Sequence, residues 1–322
     1  MIKKLLTRKP IIIVPGQFNS IFFEIFFKAL KKIKILSPLL LICNKKDFVK
    51  NANKNKYTGK IQSIKNLGEI EKKMINIIDI KIKVSKKKHI QRTYNNKYLE
   101  DCFNTAFKII KKKLSYKLLN GPINKNIFLK NKYLGITEYI SKYFRTNNVG
   151  MLIYNKKLSV CPLTTHLPIK FVTKRITKKL IEDRLKIINN FYLDKFKFKP
   201  KIGVTGLNPH CESISSFNED KKVISPAIKS SKKKGISVFG PYPADTIFLK
   251  QNRSKFNVIL GMYHDQVLTP LKTLYEYDAI NITMGLPFLR VSPDHGPNEK
   301  MVNKNLSNPT SLFKALEFLD QN

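Results

Sequence analysis

The chain has 322 residues, of which 42% are hydrophobic, and its 61 lysines and arginines against 22 acidic residues give a formal charge of +39. The hydrophobic fraction excludes a disordered chain and predicts a packed fold of one or two domains. No apolar run approaches the roughly 20 residues that span a bilayer, and no signal-peptide cleavage site is visible, so we expect a cytoplasmic protein without a membrane partner.

The positive charge is spread along the whole chain rather than gathered in one patch. Short lysine runs at 86–88, 111–113 and 232–234 accompany a general excess of Lys, Ile, Asn, Phe and Tyr, which is typical of an AT-rich coding genome. No nucleic-acid-binding motif accompanies them. We interpret the lysines as solvated faces and expect no specific nucleic-acid partner. Polyanion binding and the steering of phosphorylated substrates remain alternatives.

Apolar runs of strand length alternate with helical spacing along the chain. The predicted elements are strands over 10–14 and 37–43, helices over 21–33 and 98–114, and a weak strand over 75–84. Further along come a hairpin over 149–163, helices over 177–191, 221–234 and 309–319, and strands over 202–205 and 258–263. This alternation indicates an α/β protein with a largely parallel sheet.

Three segments each place one histidine shortly after a strand-like run. They are Thr-Thr-His at His166, Asn-Pro-His at His210 and Tyr-His-Asp at His264. Three neutral imidazoles that leave coordination positions open are how proteins hold a catalytic divalent ion. Taken by spacing alone, scattered histidines are more often structural.

Charged and amide side chains surround the third histidine. Lys272 and Arg290 supply positive charge for a carboxylate or phosphate, although singly each resembles a surface cation. Asn281 lies in an apolar run, where a buried amide needs partners. Asp245 or Asp265 could orient a metal ligand or accept a hydroxyl proton, and the residues alone do not choose between them.

Four motifs occur in one order along the chain. They are Thr-Thr-His-Leu-Pro at 164–168, Gly-Leu-Asn-Pro-His at 206–210, Gly-Pro-x-Pro-Ala-Asp-Thr at 240–246 and the segment 261–296. Together they resemble the PdxA family of pyridoxal phosphate biosynthesis. The resemblance implies an α/β fold similar to the isocitrate and isopropylmalate dehydrogenases, with two domains and a cleft between them. It implies a cofactor-side domain of residues 1–135 and 275–322, and a domain of residues 136–274 with the metal ligands and the dimer interface.

The resemblance also implies a reaction. NAD or NADP would oxidise 4-phosphooxy-L-threonine, a small phosphorylated amino acid, to 2-amino-3-oxo-4-phosphooxybutanoate, which decarboxylates to 3-amino-2-oxopropyl phosphate. The active site would lie at the subunit interface of a homodimer. There, His166, His210 and His264, drawn from both subunits, would hold a divalent metal such as zinc, magnesium or cobalt.

Other family positions can be matched one by one. The implied substrate contacts are Thr137, Lys272, Asn281 and Arg290. The implied cofactor-side loop is Asp294, His295 and Gly296.

Some positions depart from the family pattern. The family's Gly-[Asp/Glu]-Pro-Ala-Gly-Ile-Gly-Pro-Glu stands at 16–24 with Ser20 and Phe22 in place of two glycines. The other departures are Asn120 for Thr, Ile136 for His, Pro297-Asn298 for Thr-Ala, and Val302-Asn303 for a later Ala-Gly. Two alternatives therefore stay open: a dehydrogenase of another four-carbon phosphorylated hydroxy acid, such as a threonate or erythronate phosphate, and a non-catalytic metal- or polyanion-binding relic.

Overall fold

The structure, a computed structural model, describes residues 8–124, 135–212 and 217–322. The chain forms two compact units, one made of Met1–Ile140 with Pro287–Asn322 and the other of Ser141–Leu286. From the sequence, the second domain was expected to end at residue 274. The second unit extends further because the strand Ile280–Met284 pairs with the strand Gly150–Tyr154 of the same unit.

The first unit is built on a parallel sheet with the strand order β3-β4-β2-β1-β5-β12. Its strands are β1 (Ile11–Val14), β2 (Leu39–Cys43), β3 (Ile61–Ser63), β4 (Ile75–Asp79), β5 (Lys117–Asn120) and β12 (Leu289–Pro293). Its helices are α1 (Phe22–Leu30), α2 (Lys45–Lys54), α3 (Lys88–Lys111), α11 (Thr310–Gln321) and α4 (Ile136–Phe144), which runs past the unit boundary.

The central strands of this unit are buried on both faces. β1 reads Ile-Ile-Ile-Val and β2 reads Leu-Leu-Leu-Ile-Cys, and every residue of the two strands is buried. Continuous apolar runs of this kind are typical of parallel strands covered on both sides. In α1, Phe22 stacks on Phe26 with ring centroids 5.7 Å apart, and Phe27 contacts Phe48 of α2 at 5.4 Å. These rings pack the two helices together.

The second unit is built on a mixed sheet with the strand order β11-β6-β7-β10-β8-β9. Its strands are β6 (Gly150–Tyr154), β7 (Ser159–Pro162), β8 (Ile202–Thr205), β9 (Val238–Tyr242), β10 (Val258–Gly261) and β11 (Ile280–Met284). Its helices are α5 (Val172–Arg175), α6 (Lys178–Phe196), α7 (Ser225–Lys233), α8 (Ala244–Ile247), α9 (Lys250–Arg253) and α10 (His264–Tyr275). β6 runs antiparallel to β11 and β7, and the other described pairs are parallel.

Three neighbouring strands of this unit determine where ligand-binding side chains can lie. β10 is parallel to both β7 and β8, with Gly261 opposite Pro162 and Leu260 opposite Val204. Their carboxyl ends therefore lie side by side at one edge of the sheet, which is where parallel sheets bind ligands. The loops that leave these three ends carry the three histidines singled out by the sequence.

Most predicted elements are confirmed, but several elements of the structure were not predicted, among them the buried strand β5. The hairpin forms, because Ile153 of β6 pairs with Val160 of β7 in antiparallel register. The last helix begins at Thr310, whose N–H donates to Asn308 Oδ1 at 2.9 Å. The helix α2 was not predicted, α3 begins ten residues before its predicted start, and the strand predicted to reach residue 263 ends at Gly261.

The helices were also compared with the length of a membrane span. In the portion of the chain that the structure describes, no helix combines the length and the apolar character needed to cross a bilayer.

Candidate active site

Two of the three histidines lie close together within one chain. His166 follows β7 and His264 follows β10, and their ring centroids are 5.7 Å apart. His210 follows β8 and is exposed. Across the described ranges, no three His, Cys, Asp or Glu side chains lie close enough together to hold a metal ion. One chain therefore brings together part of the predicted ligand set.

Hydrogen bonds between the two strand exits explain why His166 and His264 are neighbours. The Leu163 N–H donates to the Gly261 carbonyl at 2.7 Å, and the Thr164 hydroxyl donates to the Met262 carbonyl at 2.8 Å. These bonds extend the pairing of β7 and β10 beyond the end of the sheet. The two loops consequently leave the sheet together.

The backbone at two of the histidines is strained. His166 has φ +44° and His210 has φ +54°, and Cys211 follows with φ +62°. Residues other than glycine adopt the left-handed region rarely, at a cost of roughly 1 kcal/mol or more each. Such conformations persist where the surrounding structure imposes them, and they concentrate at ligand-binding sites.

The ring of His264 is arranged as a metal ligand would be. Its Nδ1 lies 2.6 Å from Asp265 Oδ1. A carboxylate can only accept, so Nδ1 carries the proton, and in the neutral ring this leaves the lone pair of Nε2 available. Carboxylates commonly orient metal-binding histidines in this way. The geometry therefore favours an orienting position for Asp265, although that carboxylate is 81% exposed.

The second predicted carboxylate lies near the loop of His210. Asp245 is exposed in α8, close enough to Cys211 to influence its pKa. Burial first, then the charges of Asp220 and Asp245, raise the pKa of the Cys211 thiol to about 11. This thiol is therefore neutral at physiological pH.

Asn281 and Lys272 both belong to the second unit. Asn281 lies in β11 opposite Ile153, and its Oδ1 is buried with no hydrogen-bond partner in the described part of the chain. A buried amide oxygen without a partner is costly, and it marks a position where a ligand donor can bind. Lys272 is half-buried in the last turn of α10.

Arg290 is fully buried and held by a residue that the sequence analysis did not assign to the site. The side chain is 1% exposed in β12, and its Nε donates to Asn120 Oδ1 at 2.7 Å. Burial lowers the pKa of Arg290 to about 10, while the nearby Glu138 carboxylate opposes that decrease. The guanidinium thus stays charged at neutral pH. In the sequence, an amide at the end of a short apolar run could have pointed to Asn120 as a site residue.

Thr137 lies at the beginning of a helix in the first unit. It is half-buried in the first turn of α4, between Ile136 and Glu138. Tyr139 N–H donates to the Gly135 carbonyl at 3.2 Å and so closes this turn. Because Ile136 is apolar, its side chain offers no hydrogen bond at this turn.

The cofactor-side loop follows β12. Asp294 N–H donates to Ser311 Oγ at 2.9 Å, and His295 Nδ1 lies 3.0 Å from the Gly296 carbonyl. A Cβ added to Gly296 would contact nothing within 4 Å. The loop therefore leaves open space beside its glycine. Further on, Glu299 Oε1 accepts a hydrogen bond of 2.6 Å from Gln17 Nε2, a second contact that the sequence did not reveal.

At the two positions of the N-terminal motif where this chain lacks the family's glycines, the backbone conformation does not require glycine. Among the described residues, φ is positive at Gly16 (+88°) but not at Ser20 or Phe22. Phe22 is buried at the start of α1 and packs directly over Gly121. Phe22 therefore has no need of glycine's backbone freedom, since the position is helical and its side chain belongs to the core.

Comparisons with known proteins agree with these motifs. The model of the family described as "Pyridoxal phosphate biosynthetic protein PdxA" matches residues 35–319. A 4-hydroxythreonine-4-phosphate dehydrogenase of Sulfurihydrogenibium sp. is 35% identical over 314 residues, which cover 94% of each chain. The similarity thus extends over both units.

Solved structures extend the likeness to the fold. A 4-hydroxythreonine-4-phosphate dehydrogenase from Klebsiella pneumoniae is similar with a TM-score of 0.81 at 25% identity, covering 97% of this chain and 98% of that one. A beta-decarboxylating dehydrogenase from Thermococcus kodakarensis has a TM-score of 0.50 at 14% identity, covering 96% and 81%. The predicted dehydrogenase-like α/β fold is confirmed by these likenesses.

Proposed function

Because the chain belongs to the PdxA family of pyridoxal phosphate biosynthetic proteins, we propose that it oxidises 4-phosphooxy-L-threonine with NAD or NADP. The product, 2-amino-3-oxo-4-phosphooxybutanoate, is a β-keto acid and decarboxylates to 3-amino-2-oxopropyl phosphate. The observation that carries the proposal is the 35% identity to a 4-hydroxythreonine-4-phosphate dehydrogenase over 94% of the chain.

We assign a divalent metal, such as zinc, magnesium or cobalt, to His166, His210 and His264. The donor set fits, because Asp265 holds Nδ1 of His264 and leaves Nε2 available. When bound, the ion supplies the charge that lowers the pKa of the substrate alcohol. Since one chain does not bring three donors together among its described residues, we infer that His210 and His264 of one centre belong to different copies of a homodimer.

The substrate's charged groups are assigned to four side chains. Arg290 presents a planar guanidinium held at Nε by Asn120, which suits bidentate binding of a carboxylate or phosphate. Lys272 adds a second positive charge. The buried Oδ1 of Asn281 accepts a hydrogen bond from the substrate's ammonium or hydroxyl group, and the hydroxyl of Thr137 contacts its phosphate.

The two carboxylates take different roles in this proposal. Asp265 orients His264, because it is hydrogen-bonded to that ring. Asp245, which is exposed near the loop of His210, then remains to accept the hydroxyl proton.

The dinucleotide is assigned to Asp294, His295 and Gly296. The open space beside Gly296 fits a ligand there, and the bond from Asp294 N–H to Ser311 holds the loop in place. Bound NAD or NADP supplies the hydride acceptor.

The proposal predicts metal-dependent turnover. Purified protein should reduce NAD or NADP with 4-phosphooxy-L-threonine, lose that activity on chelation of divalent ions, and regain it when the metal is returned. His210→Ala should abolish the reaction, while His89→Ala, which changes an exposed histidine of α3, should not. Absorbance of the reduced dinucleotide measures both. A metal-loaded protein inactive on this compound and on other four-carbon phosphorylated acids would contradict the enzyme assignment.

Ile136 provides a gain-of-function test of the substrate. Ile136→His should raise kcat/KM for 4-phosphooxy-L-threonine about tenfold, because a hydrogen bond to a charged phosphate contributes roughly 1.5 kcal/mol or more. Ile136→Leu, which keeps an apolar side chain at the start of α4, serves as the control. If Ile136→His instead lowers activity while threonate or erythronate phosphate is the better substrate of the unaltered protein, then that alternative substrate class is correct.

A further inference from the structure

A buried carboxylate holds the loop that carries His210. Asp220 is 1% exposed at the start of a π-helical turn (Asp220–Ile224) that leads into α7. Its Oδ1 accepts the Leu207 N–H at 2.8 Å, and its Oδ2 accepts the Asn208 N–H at 3.1 Å and the Asn208 Nδ2 at 2.9 Å. Three donors of one loop thus converge on a single side chain that lies twelve or more residues away along the chain.

The residues that bond to Asp220 lie shortly before His210 in the loop. Asn208 is two residues before His210, and its carbonyl accepts the Cys211 N–H at 3.1 Å. His210 therefore lies inside a turn whose beginning is attached to Asp220. The positive φ of His210 is imposed by this closed turn, since a free loop would relax to a more common conformation.

A second buried side chain holds the beginning of the same loop. Gln266 donates from Nε2 to the Gly206 carbonyl at 2.7 Å, and its Oε1 accepts from Thr205 Oγ1 at 2.8 Å and from Met262 N–H at 2.7 Å. The exits of β8 and β10 are joined by this amide. Residues 206–208 of the loop are thereby held by two buried side chains.

We propose that Asp220 is a positioning residue for His210, with Gln266 as the second anchor of the loop. The inference rests on the proposed metal-binding function of His210. What the proposal adds is that a carboxylate distant in sequence fixes the orientation of the His210 imidazole, by holding the backbone of Leu207 and Asn208. Partners that orient metal ligands typically change metal affinity by 10- to 100-fold when they are removed.

The test compares two buried aspartates, one in each unit, that both accept hydrogen bonds from backbone N–H groups of a loop. Asp220→Asn places an amide N–H against the loop's own donors and loses at least one of the three bonds. Asp320→Asn is the matched control, because Asp320 accepts the N–H groups of Leu36 and Ser37 at 2.9 and 2.7 Å in the first unit. Binding of Co²⁺ or Zn²⁺ by calorimetry, hydrogen exchange of the loop amides and Tm are measured for each full-length protein.

For Asp220→Asn we expect faster exchange at Leu207 and Asn208 and a metal Kd raised at least tenfold. Asp320→Asn should lower Tm and leave the metal Kd within about twofold of the unaltered protein. If Asp220→Asn fails to fold, Asn208→Ala, which keeps both backbone bonds to Asp220 and removes the side-chain bonds to Asp220 and Glu219, should still raise the Kd, by about threefold.

Each other outcome has a definite meaning. Unchanged exchange at Leu207 and Asn208 would overturn the anchoring by Asp220. Faster exchange with an unchanged metal Kd would reduce Asp220 to a structural residue. If the unaltered protein and His210→Ala are alike in binding no metal, the proposed metal centre itself fails, which the exchange measurement distinguishes from a failure of the anchor.

Discussion

A mixture of His210→Ala and His264→Ala proteins should regain about a quarter of the unaltered activity, although each variant alone is inactive. The reason is geometric. If His210 and His264 of one centre come from different copies, a mixed dimer has one centre with all three histidines and one centre with two substitutions. Random pairing makes half of the dimers mixed, and each keeps one of its two centres. Turnover after co-expression with two affinity tags measures the restoration.

Two controls make this experiment decisive. His264→Ala paired with a differently tagged His264→Ala should remain inactive, which excludes an effect of tagging or refolding. His89→Ala paired with His264→Ala gives the activity of dimers in which one partner carries all three ligands. Isolated mixed dimers of His210→Ala and His264→Ala without activity would show that these two histidines of a centre come from the same copy.

Arg290→Lys should lower kcat/KM by roughly 10- to 150-fold, the equivalent of losing a charge-assisted hydrogen bond of about 1.5–3 kcal/mol. The ammonium keeps the charge but not the planar fork, and it cannot donate to Asn120 while also binding an anion in two places. Steady-state kinetics with 4-phosphooxy-L-threonine, together with Tm, measure the effect.

Arg184→Lys provides the comparison for a buried arginine with a structural task. Arg184 Nη1 donates to the Val149 carbonyl at 2.7 Å and Nη2 to the Leu163 carbonyl at 3.4 Å, so we expect a lower Tm at nearly unchanged KM. Equal kinetic losses in both variants would mean that Arg290 acts on the fold rather than on the substrate.

The apolar pattern was enough to predict β1, β2 and β8, but not enough to predict the buried strand β5 or the polar helices. β1, β2 and β8 are continuous buried runs, so burial is visible in their composition. In α2, only Phe48 and Ala52 of ten residues are buried, which is too few for a recognisable stripe. None of residues 88–97 is buried, and only some of them are half-buried. No apolar stripe therefore marks the beginning of α3, and its first ten residues were missed.

The candidate site was predictable to the extent that it depends on strand ends. The histidines could be located because each follows an apolar strand, and parallel strands bind ligands at their carboxyl ends. The partners that hold these groups could not be located. Asn120 and Arg290 are 170 positions apart, and Thr205 and Gln266 are 61 apart, so the pairs exist only after the strands have been ordered in a sheet.

The close approach of β1 and β5 restricts how far this chain can drift in sequence. A Cβ on Gly16 would lie 2.4 Å from the Pro122 carbonyl oxygen, and one on Gly121 would lie 1.9 Å from that of Pro15. The helical position of Phe22 accommodates a large side chain, but a side chain at either of these two glycines would force the strand exits apart. A substitution at either glycine would also displace Asn120, whose Oδ1 accepts the Nε hydrogen bond of Arg290. These two codons are where we expect selection against substitution to be strongest in the first unit.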